Sequence, residues 1–328
     1  MKKLLLVLLV VALASFLLTG CFGVPEDGTD GDGGGVAAIC PTITITGQYA
    51  GVDKTYVKAS ATAEVVVTYT VPTEGVSIYL VGTETTKVLL PYTVSADGLV
   101  YTASADLTCL YKCDLIMIEV VDCYGECTCV ESFVVDCWEP KAKMMLSTSA
   151  CVCEGCAISI KSDYVIPGLC ADDLGCCADD CSGVASWSIK VYNKDPYDVC
   201  CTTECAEPVV TCGAAACPIE CISECLLGND ESAGAVEAYY MVMSMLDNVG
   251  NENKYWAMVE FDSGCEMEAF TWWDAPNKAA DGSSTDTCLD WTSDGTPETP
   301  VYDSAFGWYV IFGESCTWDT ECYCKKAE

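Results

Sequence analysis

From Pro41 onward, apolar and polar residues alternate in short runs, and Gly, Pro, Asp or Ser punctuate most of the gaps between them. Thr42-Ile-Thr-Ile-Thr46 alternates cleanly, as do Ala63-Glu-Val-Val-Val-Thr-Tyr-Thr-Val71 and Val76-Ser-Ile-Tyr-Leu-Val81. Further runs at 87–92, 99–103, 115–121 and 130–135 bring the number to seven within about a hundred residues. A period of two in β-branched and aromatic residues predicts strands with one buried face, and this density of short strands predicts a β-sandwich. Leu115-Ile-Met-Ile-Glu-Val-Val121 is apolar almost throughout, which predicts a central strand buried on both sides.

The pattern then recurs. Asp122-Cys-Tyr-Gly125 follows one apolar run and leads to another ending in Phe133-Val-Val-Asp136. Asp247-Asn-Val-Gly250 likewise follows Tyr239-Tyr-Met-Val-Met-Ser-Met-Leu246 and leads to Val259-Glu-Phe-Asp262. An Asp that bonds the turn backbone and a Gly free to take positive φ predict a closing hairpin in each copy. This arrangement resembles the final hairpin of bacterial immunoglobulin-like domains, which reads as apolar strand, Asp-x-x-Gly-Asn, strand, Asp. Asp247, Gly250 and Asn251 match it fully, whereas Glu126 stands in place of the Asn in the first copy. The resemblance implies two tandem immunoglobulin-like sandwiches over 41–262.

The second copy is longer. Residues 151–225 hold 14 cysteines and 41–108 hold none, so the extra length reads as a disulfide-rich insertion. Ser186-Trp-Ser-Ile-Lys-Val-Tyr192 predicts a strand, and 167–183 and 198–228 predict stapled loops. Within the latter, Pro218 and the spacing of Cys217, Cys221 and Cys225 predict a short helix with the sulfurs on one face. The last 66 residues, 263–328, carry five of the eight tryptophans, and Phe306-Gly-Trp-Tyr-Val-Ile-Phe312 predicts a buried strand. The expected fold is all-β: domain 1 at 41–138, domain 2 with Cys-rich insertions at 139–262, and a small β-rich region at 263–328.

Composition narrows the chemistry. Lys2 and Lys3 precede an unbroken apolar run over 4–18, too short for a confident membrane span, which ends in Leu18-Thr19-Gly20-Cys21. This tail resembles the lipobox of bacterial lipoproteins. The resemblance implies removal of residues 1–20, lipidation of Cys21 and anchoring to the cell envelope through acyl chains. By resemblance to enterobacterial sorting, Phe22 in place of an Asp favours the outer membrane or cell surface. Residues 21–40, rich in Gly and Asp, then form a flexible spacer.

The formal net charge is −34, and losing residues 1–20 would remove two lysines and no carboxylate. Such a surface repels nucleic acid and suits divalent cations or a basic partner. The chain has no histidine and no arginine, which excludes Ser-His-Asp and Cys-His catalysis, His-ligated metals and bidentate guanidinium clamps. Setting Cys21 aside leaves an even number of cysteines, which in an exported chain reads as a disulfide framework. The competing reading is a thiolate metal store, since Cys151-Val-Cys153-Glu-Gly-Cys156 has metal-ligand spacing.

Two weaker constellations remain. Trp272, Trp273, Asp274, Asp290 and Trp291 lie among Asp, Ser, Thr and Gly, where exposed rings and carboxylates would hold a glycan. Asp122, Asp136, Asp247 and Asp262 fall at strand ends, where calcium would bridge carboxylates near the junction of the two sandwiches. The sequence therefore points to a non-enzymatic, membrane-anchored surface protein with a structural or adhesive role toward a surface glycan or envelope protein. The alternatives are a carbohydrate-capturing lipoprotein and an exported hydrolase using carboxylates.

Overall fold

Strand registers carry the architecture, which a computed structural model describes for residues 40–82, 87–108, 113–122, 128–151, 155–162, 177–178, 181–197, 204–215, 217–226, 237–274, 289, 291 and 295–313. The chain divides into two compact units between Cys137 and Trp138.

The first unit holds ten strands: β1 (Thr42–Ile45), β2 (Tyr49–Ala50), β3 (Thr55–Lys58), β4 (Ala63–Thr68), β5 (Ser77–Val81), β6 (Lys87–Leu90), β7 (Tyr92–Val94), β8 (Val100–Ala105), β9 (Asp114–Val121) and β10 (Thr128–Asp136). They form a sheet β1-β4-β8-β7 and a facing sheet β2-β3-β10-β9-β5-β6. The first order is the A-B-E-D sheet of an immunoglobulin-like sandwich, and β10-β9-β5 supplies G-F-C. Alternation explains the packing: Ile43, Ile45, Val65 and Val67 point inward from one sheet, and Ile78, Ile118, Val120 and Phe133 from the other. Tyr69, Tyr92 and Tyr101 pack edge to face in this unit, and the hydroxyls of Tyr92 and Tyr101 donate to the carbonyls of Val76 and Thr73. The disulfide Cys40–Cys129 joins the chain just ahead of β1 to β10 in the opposite sheet.

The second unit holds β11 (Lys141–Ala150), β12 (Cys156–Lys161), β13 (Cys177–Ala178), β14 (Val184–Tyr192), β15 (Val210–Ala214), β16 (Glu220–Ile222), β17 (Glu237–Asp247), β18 (Glu252–Phe261), β19 (Met267–Trp273), β20 (Thr296–Glu298), β21 (Val301–Asp303) and β22 (Gly307–Gly313). One sheet runs β16-β12-β11-β22-β21, with β13 beside β11, and the other runs β15-β14-β17-β18-β19-β20. Their inner faces share one core of Met144, Leu146, Ile158, Ile160, Met241, Met243, Val259 and Phe312. Two disulfides cross between the sheets, Cys156–Cys265 and Cys212–Cys221, and Cys151–Cys225 ties β11 to the segment after β16.

Four expectations change. The segment after residue 262 adds β19 and β20 to one sheet of this unit and β21 and β22 to the other, so it completes the sandwich. The expected helix at Pro218 is instead β16, with Ile219, Cys221 and Ser223 inward and Glu220, Ile222 and Glu224 outward. A spacing of four between cysteines satisfies a period of two as well as 3.6, and the partners Ser159, Ile160 and Lys161 on β12 decide the case. The flanking loops likewise contain β13 and β15. Finally, β9 is buried on one face only, and Leu115 on the other face is 48% exposed.

The second closing hairpin forms as expected. Gly250 takes φ +87°, and the Asp247 Oδ1 accepts the N–H groups of Val249 (2.9 Å) and Asn251 (2.7 Å). The Asn251 side-chain amide donates to Asp247 Oδ2 at 2.6 Å, and both residues are buried. Replacing Asp247 with Ala orphans these donors, and a buried unsatisfied group costs about 1–3 kcal/mol. Asp247→Ala is therefore expected to lower the melting temperature of the second unit by several degrees in calorimetry, with Asp247→Asn recovering part of the loss.

Candidate functional site

Adjacent residues of a strand face opposite sides, and this rule distributes the tail tryptophans. Trp272 points into the main core of the second unit and meets Tyr255 edge to face at 5.9 Å. Trp273 points out of the other side, where Tyr192, Val242, Trp256, Trp273, Leu289 and Trp291 make a second, smaller core. The register builds it row by row: Lys190, Val242, Trp256 and Trp273 lie side by side across β14, β17, β18 and β19. Tyr192 and Tyr240 continue it one row on.

Segments outside the strands close this outer core. Trp291 packs perpendicular to Trp273 at 5.3 Å and to Tyr240 at 4.9 Å. The Trp256 indole N–H donates to the Tyr197 hydroxyl at 3.1 Å. Gly295 lies against Trp273 and Thr271 so closely that a Cβ would collide with both. At the rim, Glu204 accepts hydrogen bonds from the Lys190 ammonium and, at 2.6 Å, from the Tyr192 hydroxyl. Burial would raise the Glu204 carboxyl, but these two bonds and the charges of Lys190 and Lys254 outweigh it and hold the group below the usual range. Burial, then the bond to Glu204, pushes the Tyr192 phenol up.

The glycan patch expected here does not form as an open surface. Trp272, Trp273 and Trp291 are 8%, 5% and 7% exposed, and Trp272 lies on the opposite face of the sheet from Trp273. Polar sequence neighbours predict exposure, but Trp272 is buried in the core between the sheets, and Trp273 is covered by long-range packing of Leu289, Trp291 and Gly295. Asp274 is exposed, and Asp290 lies outside the described residues. The indole N–H groups of Trp272 and Trp291 are buried without a hydrogen-bond partner.

Within each unit the two members of the calcium set also stand apart. Asp122 and Asp136 flank the β9–β10 pair, one at each end of β10, and Asp247 and Asp262 do the same for β18. At ~3.3 Å per residue each pair is separated by roughly 30 Å, too far for one cation. Asp262 Oδ1 instead accepts the N–H groups of Gly264 (2.8 Å) and Glu266 (2.9 Å). Among the described residues no three acidic or cysteine side chains gather as metal ligands. Cys21 lies outside the described residues, as does Cys153 of the Cys151–Cys156 motif, whose Cys151 and Cys156 are disulfide-bonded.

In the first unit, a groove over β4, β7 and β8 is lined by Thr62, Glu64, Tyr92, Thr93, Thr102 and Ser104. Its polar groups are hydroxyls and one carboxylate, and Glu64 is already bonded by the Thr46 hydroxyl at 3.0 Å. No model of a protein family matches this chain, and no curated protein matches its sequence. What the site shows is a clamp: an aromatic core on the outside of a sheet, closed by a Lys190–Glu204–Tyr192 triad.

The sign of its pH dependence follows from Glu204. A carboxyl held low in the folded state contributes stability above its unfolded pKa and loses it as pH falls through the folded value. The part of the melting temperature that Glu204 supplies should therefore be lost on the acid side of about pH 4.3. Glu204→Gln, which keeps the shape and removes the charge, is expected to flatten that decline in a thermal melt series.

Proposed function

We propose that this chain is a lipid-anchored surface protein outside the cytoplasm, in which disulfide-stapled sandwiches serve a structural or adhesive role. The observation that carries the reading is the use of cysteine. In each unit a bridge joins facing sheets, and among the described residues Cys113, Cys137, Cys181, Cys205 and Cys217 are disulfide-bonded too. Bridges in such number persist in oxidising compartments and are rare where thiol reductants act. The Leu18-Thr19-Gly20-Cys21 sequence supports a lipid at the N-terminus, and the acidic Gly-rich stretch after it would hold the sandwiches clear of the bilayer.

The role follows from what such a body resists. Cross-linked sheets tolerate proteolysis and mechanical load, because opening them requires breaking a covalent bond as well as exposing the core. The sandwich of the second unit also spends its tail tryptophans on packing, which supports a scaffold over a sugar-stacking surface.

Cys21 provides the direct test. Expressed in a bacterial host that performs lipoprotein maturation, the native chain is expected to incorporate labelled fatty acid, to lose residues 1–20 and to fractionate with membranes. Cys21→Ser is expected to remain unlabelled and unprocessed while keeping its disulfides. An unlabelled native chain recovered from the soluble fraction would end the anchoring proposal.

A further inference from the structure

The outer face of the sheet β2-β3-β10-β9-β5-β6 breaks two regularities of this protein. An antiparallel sheet with one solvated side normally turns polar residues outward. Here Leu115, Met117 and Val121 from β9 share the outer face with Tyr79 from β5, Leu89 from β6 and Val130 from β10, as the registers Tyr79↔Leu89, Tyr79↔Glu119 and Glu119↔Val130 require. Leu89, Leu115 and Val130 are 59%, 48% and 50% exposed.

The second irregularity is electrostatic. The chain carries 49 carboxylates against 15 lysines, yet among the described residues the outward charges of this sheet are two opposite pairs, Glu119 with Lys87 and, towards the other edge, Asp136 beside Lys58. Lys87 Nζ lies 4.1 Å from the centre of the Tyr79 ring and reaches Glu119 Oε1 at 2.6 Å. The result is an apolar, charge-balanced plane on a molecule that is otherwise strongly anionic.

We propose that this face is a homotypic interface, on which a second copy of the chain packs sheet to sheet. Two identical anionic molecules repel wherever their acidic surfaces meet, and a charge-balanced plane is where they can approach. A basic partner would gain nothing from a face whose own charges cancel. The four strands β6, β5, β9 and β10, ~4.8 Å apart and on average six to seven residues long at ~3.3 Å each, give roughly 400 Å² per copy. The pair would bury about 800 Å², in the small range of transient contacts, so the dimer is weak and reversible. The near-continuous apolar sequence of β9 is then explained, because its second face is buried by the partner copy.

Salt separates this from other occupants. Repulsion between the two acidic bodies is screened as the Debye length shortens from roughly 14 Å to about 4 Å between about 0.05 M and 0.5 M salt, whereas apolar contact persists. Sedimentation velocity of the full chain in a non-ionic detergent, disulfides intact, is expected to show the protein mass doubling with concentration and more readily at the higher salt. Leu115→Glu is expected to return the monomer mass at both salts with an unchanged disulfide pattern. Leu89→Glu, on the exposed edge strand β6, is expected to do the same if Leu115→Glu misfolds. A chain that stays monomeric at both salts, a dimer indifferent to both substitutions, or association that weakens as salt rises would overturn the proposal.

Discussion

Sulfur bridges between facing sheets are the constraint on which this molecule rests. A chain with 49 carboxylates and 15 lysines repels itself when compact, and that repulsion works against folding at neutral pH. Cys40–Cys129 in the first unit and Cys156–Cys265 and Cys212–Cys221 in the second oppose it by joining the two layers covalently. Each bridge contributes about 2–4 kcal/mol, a large share of the roughly 5–15 kcal/mol that holds an ordinary domain. Cys156 and Cys265 are both buried within the main core, so the covalent link and the apolar packing reinforce each other at one place.

The second unit adds a topological answer to the same problem. Its tail extends both sheets along one side, with β19 and β20 beyond β18 and β21 and β22 beyond β11. Only two residues separate β20 from β21, so the chain passes from one sheet to the other almost directly. Pro297 within β20 and Pro300 just after it lack the N–H that a further strand would need, which blunts this edge. The Thr148 hydroxyl of β11 donates to the carbonyl of Cys265 at 2.9 Å, a polar link between sheets beside the Cys156–Cys265 bridge. The outer aromatic core then thickens the opposite face, where Tyr192, Trp256, Trp273 and Trp291 would otherwise meet water.

Much of this was legible in the sequence wherever local pattern and final environment agree. The alternation over 42–46, 63–71 and 76–81 marks β1, β4 and β5, and Asp247 with Gly250 marks the hairpin that its side chain organises. Where the two diverge, the sequence misleads for physical reasons. The strands β2 and β3 are short and carry no alternation, and β3 is held by parallel pairing to β10, a contact between residues far apart in the chain. The 217–225 segment was ambiguous because an interval of four fits both periods. Trp273 and Trp291 sit among polar neighbours, and only the meeting of distant segments buries them. Disulfide pairing was not readable at all, since many connectivities satisfy one even count.

Peptide mapping of the native protein under non-reducing conditions reads the inter-sheet bridges one by one. Cross-linked peptides are expected for Cys40–Cys129, Cys156–Cys265, Cys212–Cys221 and Cys151–Cys225. Recovery of these cysteines as free thiols, or as ligands of stoichiometric zinc or copper, would contradict a disulfide-held fold.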